Sequence, residues 1–354
     1  MPLTHRGVNY DTGTNYMADG GLSRQNWDAD VMRGELRAIR DELHCTSIGV
    51  FGTDLDRLGQ TAEAALEGGL QVWLQPRLVD AGPRDTLAHL AKAAELAERL
   101  RTRNSAIHLN VGCELTVFSE GMMPGAGYAE RAARLATLRG WPLTPLYSKR
   151  LNRFLRQAAD VARAEFHGQL TYGAGLWELV DWKPFDIIGL DYYRMRYNRA
   201  KYVTKLRKFT RQDKPVVIVE FGCAAFDGAA EAGPSAHEII DHSGPVPRID
   251  GPYTRNEQVQ ADQLADLIGI YDEEGVHGAF VFEFIEPAHP HSAEPHHDID
   301  MAGYSLVKII HDTPDGPYRW EPKVAFHTVA KLYGAQKALG MQMQAAQRER
   351  ELEP

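Results

Sequence analysis

Cysteine is scarce. Cys45, Cys113 and Cys223 are the only three in 354 residues, an odd number with no CxxC pair, which excludes a disulfide framework and a zinc knuckle and leaves free thiols. No apolar stretch approaches the roughly 20 residues that cross a bilayer. The amino terminus, Met-Pro-Leu-Thr-His-Arg, lacks the basic start, apolar core and small-residue cleavage site of a secretion signal. An excess of positive charge is missing too: 39 Lys and Arg face 48 Asp and Glu, for a net charge of -9. No basic stripe is present to neutralise a phosphate backbone. Neither GxGxxG nor GxxxxGK[ST] occurs, no repeat or low-complexity linker is visible, and no nucleophile elbow announces a serine hydrolase. These absences imply a cytoplasmic protein that binds neither nucleic acid nor membrane. Oligomeric state is not legible.

What is present is regular alternation. With 44% hydrophobic residues, the chain can bury a large single core. Short apolar or β-branched runs at 7–10, 47–51, 71–75, 106–112, 169–172, 186–190, 216–220 and 279–284 predict eight strands. Apolar residues at helical spacing predict helices over 31–43, 55–66, 85–101, 146–166 and 258–271, with a closing helix after Val324. Eight strand-then-helix units predict an α/β fold, a (β/α)8 TIM barrel over 1–340, followed by a helical tail at 341–354. The fifth and sixth units are irregular, because 174–184 is short and carries Trp177 and Trp182 instead of an amphipathic helix. Long insertions follow strands one (11–27), four (114–145), seven (223–254) and eight (285–322). In such a barrel these loops gather on one face and wall a cleft, which points to an enzyme.

Two glutamates end strands at that face. Glu114 closes His-Leu-Asn-Val-Gly-Cys-Glu, and Glu220 follows four apolar residues in Pro-Val-Val-Ile-Val-Glu-Phe-Gly. A carboxylate at such a position is costly to bury unless it is paired or functional. On strands four and seven the pair would face one another across the mouth, where a separation of about 5 Å suits retaining glycoside hydrolysis. The alternative for Glu114 is a rim carboxylate paired with Arg6 or Arg77.

Arg6-Gly-Val-Asn-Tyr10, Cys113-Glu114, Asp186-Ile-Ile-Gly-Leu-Asp-Tyr-Tyr193 and Val219-Glu-Phe-Gly222 together resemble the retaining glycoside hydrolases of clan A. The resemblance implies Glu114 as acid/base, Glu220 as nucleophile, and Tyr192 or Tyr193 as a phenol donor that orients the nucleophile. It also implies a small-molecule or oligosaccharide substrate and no cofactor. Two positions depart from the clan pattern. Cys113 stands where Asn would bind a sugar 2-hydroxyl, and a thiol is a poor substitute. Strand eight reads Phe-Val-Phe-Glu-Phe, so Glu283 or Phe284 replaces a Trp platform.

Further candidates surround the pair. Tyr10, Trp73, Trp177 and Trp182 could stack on a planar ligand or simply pack. Arg77 and Arg194 could meet an anionic group, tune Glu220, or form rim salt bridges. The segment 289–300, His-Pro-His-Ser-Ala-Glu-Pro-His-His-Asp-Ile-Asp, is rich in donors but irregular, so its histidines, His291 among them, contact substrate more readily than they cage a metal. Asp298, Asp300 and Tyr304 could instead anchor that loop. Four readings stay open: a retaining glycosidase-like enzyme, a specialised-metabolism enzyme using the same glutamates for cyclisation or dehydration, a non-catalytic binding barrel, and a metal-dependent hydrolase.

Overall fold

The computed structural model describes residues 2–17, 20–135, 141–244, 246–311 and 317–352, without the side chains of 141, 341 and 343–352. Eight parallel strands close into a barrel: β1 (His5–Asp11), β2 (Ser47–Gly52), β3 (Gln71–Pro76), β4 (Ile107–Cys113), β5 (Leu170–Ala174), β6 (Ile188–Asp191), β7 (Val216–Phe221) and β8 (Gly278–Val281). β1 pairs with β8 to seal it. The last strand is shorter than its apolar run suggests, ending at Val281 before residues 282–284. Phe282 N still reaches Phe221 O at 2.7 Å.

Local chemistry explains where the covering helices begin. Asp28 and Asp54 accept hydrogen bonds from the first-turn amides of α1 (Ala29–Asp41) and α2 (Leu55–Glu67), and Pro83 opens α3 (Pro83–Arg101), where its missing N–H costs nothing. α1 turns Met32, Leu36 and Ile39 inward at helical spacing. α4 (Thr144–Glu165), α5 (Tyr202–Thr210) and α6 (Glu257–Glu273) cover later strands. No helix joins β5 to β6. Instead Trp182 and Phe185 plug the core, and Lys214 Nζ grips Trp182 O at 2.6 Å. The last helix, α7 (Val324–Leu352), runs unbroken from the barrel wall into the expected tail, of which 353–354 lie outside the described residues. No helix of the described residues is long and apolar enough to cross a membrane.

The four long loops lie after β1, β4, β7 and β8, and they hold one another. Tyr16 packs against Phe118 and Tyr128, joining the first loop to the fourth-strand loop. Arg255 reaches Glu257, Asp298 and Asp300, while fully buried Lys323 meets Asp300 at 2.9 Å. Residues 18–19, 136–140, 245 and 312–316 of these insertions lie outside the described residues.

Inside the barrel, residues alternate inward along each strand. Near the N-terminal end, His5, His108 and His277 cluster with Trp73, with ring centroids 5.5 Å (His5 to His108) and 5.0 Å (His5 to His277) apart. Trp73 is therefore core, and it stacks on His108 at 4.5 Å instead of on a ligand. Burial, helped by the neighbouring imidazoles, lowers His5 to about 3 and His108 to about 4. Because the folded values lie below the unfolded 6.5, stability is full above pH 6.5 and declines as pH falls toward those values. His108→Gln should flatten that acid limb, retaining on the order of 2 kcal/mol more of its neutral-pH stability at pH ~4 than wild type does. Urea unfolding across pH checks this, and parallel limbs would refute it.

Candidate active site

Glu220 reaches the mouth through a bulge. The register between β6 and β7 shifts after Leu190, so that Asp191 pairs with Glu220, and the β7–β8 ladder shifts at the same level. Val217 and Val219 face the barrel interior, and the extra residue re-aims Glu220 inward as well. β4 shifts likewise between Asn110 and Cys113. Glu114 follows in the left-handed region, at φ 43° and ψ 43°, with its amide bonded to Gly173 O at 2.9 Å. A non-glycine residue there carries strain, of the kind that collects at functional sites.

Arg77, just past β3, supplies the compensating charge. Its Nη2 lies 2.6 Å from Glu220 Oε1, its Nη1 donates to Tyr16 Oη at 2.6 Å, and its Nε donates to Gln75 Oε1 at 3.0 Å. The guanidinium also covers the Phe51 ring at 4.2 Å. Both Arg77 and Glu220 are buried, so removing either partner would leave an uncompensated charge out of water. Among the described residues Glu114 has no such partner. Burial first, then the charges of Asp191, Glu220 and Glu178, hold its carboxyl well above the ordinary carboxylate range.

Cys113 stands between two acids. Its thiol lies 3.1 Å from Asp191 Oδ2 and 3.4 Å from Glu220 Oε1. Burial pushes the thiol upward, so it stays protonated and donates. Burial and Glu220 likewise raise Asp191, and burial with Glu286 raises Glu283. Glu178, by contrast, is a tether: it accepts from Thr116 N and Oγ1, Tyr172 Oη and Gly175 N. Trp177 Nε1 bonds Thr116 Oγ1 at 2.7 Å and fixes that indole beside the β4 loop.

Several sequence candidates point elsewhere. Tyr10 alternates outward from β1, where its hydroxyl meets Glu35 and Arg24 behind the barrel wall, so it is no stacking platform. Tyr192 also faces out and donates to Tyr202 O at 2.9 Å, which removes it as an orienting donor for Glu220. Arg194 is held outside by Gln263 and Asp266 and does not meet Glu220. Trp182 is packing. Arg6 bonds Leu3 O at the opposite end of the barrel and is no partner for Glu114. Tyr193 remains beside the site, buried, edge-on to Tyr304 at 6.0 Å and within the field of Glu220. Phe284 turns outward against Trp320, while Glu283 faces the mouth acids.

Two groups have metal-like donor sets among the described residues: Cys113, Asp191 and Glu220, and His291, Asp298 and Asp300. In the first, Arg77 already occupies Glu220. In the second, His291 bonds Asp298 at 2.8 Å while Arg255 and Lys323 neutralise both aspartates. The second set is thus occupied by protein cations and serves as a loop anchor, while in the first only Glu220 is paired with one. Asp191 was the residue missed in the sequence. Strand alternation through Ile187, Gly189 and Asp191 aims it inward, one residue before the tyrosines that drew attention.

No protein-family model matches the sequence, and no curated protein sequence matches it significantly. Solved structures do match in shape. A complex of a GH113 β-1,4-mannanase superposes with TM-score 0.61 at 14% identity, covering 94% of this chain and 99% of the other. The GH113 β-mannanase AaManA of Alicyclobacillus acidocaldarius, in complex with ManMIm, gives 0.60 at 18%, with 94% and 98% covered. Thermotoga maritima Cel5A, with mannotriose, gives 0.51 at 11%, with 94% and 97% covered. With the closed eight-stranded parallel barrel, these likenesses show that the chain has the (β/α)8 barrel fold of those structures.

Proposed function

We propose that the protein is a retaining glycoside hydrolase in which Glu220 is the nucleophile and Glu114 the acid/base. The observation that carries this reading is the contrast between the two glutamates: Glu220 is bonded to the Arg77 guanidinium, whereas burial and neighbouring acids push Glu114 toward its protonated form. Opposed environments of this kind are how one fold assigns a base and an acid to two identical side chains.

In the first step a Glu220 oxygen attacks the anomeric carbon, the glycosidic C–O bond breaks, and the Glu114 proton passes to the departing oxygen. In the second step Glu114, now ionised, takes a proton from water as the water oxygen attacks the same carbon and releases Glu220. Arg77, 2.6 Å from Glu220 Oε1, orients the nucleophile before attack. Trp177, half-buried beside the loop after β4, is an aromatic surface for a sugar to meet. Two of the similar structures are β-mannanases and a third holds mannotriose, which makes β-mannosides the first substrates to try.

Aryl β-glycosides provide the test. Glu220→Gln should abolish turnover, and Glu114→Gln should lower kcat/KM about 10²- to 10⁴-fold for poor leaving groups, with much less loss for dinitrophenyl ones. Azide should rescue Glu114→Gln, and proton NMR should find the first-formed sugar with its anomeric configuration retained. Equal activity of wild type and both variants, or an inverted product, would end the assignment.

The pH profile provides a second check. Glu114 must be protonated for the first step, so the basic limb of kcat/KM should fall well above 4.5, the unshifted glutamate value. That limb should vanish in Glu114→Gln assayed with a dinitrophenyl glycoside. A limb that persists there belongs to another group.

A further inference from the structure

Four carboxyl groups, those of Glu114, Asp191, Glu220 and Glu283, share the mouth, and among the described residues Arg77 is the one cation bonded to any of them. Two of the acids are buried and incompletely satisfied. Asp191 is 1% exposed and Glu283 3%, yet Asp191 Oδ1 and Glu283 Oε2 have no hydrogen-bond partner among the described residues. Buried carboxylate oxygens are normally paired. They flank Glu220 from both neighbouring strands, β6 and the end of β8.

Asp191 is the more closely placed. Its carboxylate, the Cys113 sulfur and a Glu220 oxygen lie within 4.8 Å of one another. Gly173 of β5 packs against it without a side chain, for a Cβ there would stand 3.0 Å from both Asp191 oxygens and crowd the carboxylate. Cys113 has already committed its proton to these acids, and Arg77 is engaged by Gln75, Tyr16 and Glu220. The wall next to Glu220 is therefore rich in carboxyl oxygens, and once Asp191 releases its proton it offers acceptors and few donors. A sugar hydroxyl can give such a wall one proton and no charge, whereas an ammonium group gives three and neutralises a carboxylate.

Resting on the glycosidase reading, we propose that the site selects a glycoside with a free ammonium group on the ring carbon next to the anomeric carbon, held by Asp191 Oδ1. In a retaining enzyme the substituent on that carbon lies against the nucleophile, and its hydrogen bonds tighten in the transition state. Asp191 is the acid at that place. Burial and Glu220 hold it toward the neutral form until such a cation arrives.

The test uses the full chain and 4-nitrophenyl glycosides of gluco and manno configuration, both anomers, bearing a 2-amino, 2-hydroxyl or 2-acetamido group, at a mildly acidic pH where the amine is charged. The amino glycoside should have a kcat/KM roughly tenfold or more above the other two, the size expected for one hydrogen bond between charged groups. Asp191→Asn should erase that ratio. Cys113→Asn, which adds an amide donor to the wall, is a second variant should the first fail to fold, and it should move the preference toward the 2-hydroxyl. Cleavage with no preference for the amine, or a preference untouched by both substitutions, overturns the proposal and leaves the glycosidase reading standing. If no glycoside is cleaved, that reading falls and thermal melts decide the amine site alone. Glucosamine raising the Tm of wild type but not of the folded variants, with glucose inert, supports it. Glucosamine and glucose acting alike, or zinc chloride stabilising the protein where glucosamine does not, overturns it.

Discussion

A barrel built for an apolar interior here ends in a layer of acids, and the Arg77–Glu220 pair is the contact that makes this tolerable. Burying an ionised carboxylate costs several kcal/mol unless a counter-charge and hydrogen bonds replace its water. Arg77 provides both, and it is itself positioned by Gln75, Tyr16 and the Phe51 ring. Those supports come from β3, from the loop after β1 and from the end of β2. One guanidinium thus ties three consecutive units to β7. The remaining acids have no equivalent, and burial drives their carboxyls upward. That division sets one ion-paired carboxyl among others held toward their protonated forms, the electrical arrangement acid/base chemistry needs.

The loops translate this into a fixed geometry. Lys323 and Arg255 bind Asp300 and Asp298 where the β8 loop folds back over the β7 loop, and Tyr304 Oη bonds Pro234 O at 2.9 Å across the same junction. Opposite them, Glu178 and Trp177 tether the segment after Glu114. Both glutamates are therefore flanked by loops whose own polar groups are largely satisfied, so rotation of either carboxyl is limited by neighbours on rigid strands. Sites supported in this way are held more precisely than sites carried on free loops.

The barrel was legible in the sequence because eight apolar runs of strand length, each bounded by polar turns, leave few other ways to bury both faces of a parallel sheet. The glutamates were legible because a charge at the end of such a run is conspicuous. What could not be read was direction. Tyr10 and Tyr192 sit near strand ends, as a binding residue would, but the two-residue period turns both outward toward helices. Glu220 would follow Val219 to the wrong face were it not for a bulge, and nothing in Val-Val-Ile-Val-Glu announces one. Arg77 and Arg194 have the same chemistry and similar distances from their strands. Only the paths of their side chains separate the partner of Glu220 from an outer clamp on α6.

Cys113 shows what that missing information conceals. By sequence it is a departure from a pattern, a weak donor in place of an amide. In the structure the same thiol is a spacer between Asp191 and Glu220, its proton directed at acids already short of donors. An asparagine there would offer two donors and relieve both carboxylates, so the thiol preserves an unmet demand for positive charge. A barrel mouth that merely lacked a sugar contact would not also need Asp191 buried behind it, Gly173 cut back beneath it and Glu283 unpaired on the opposite strand. What the two acids share is a buried oxygen that a bound donor would satisfy.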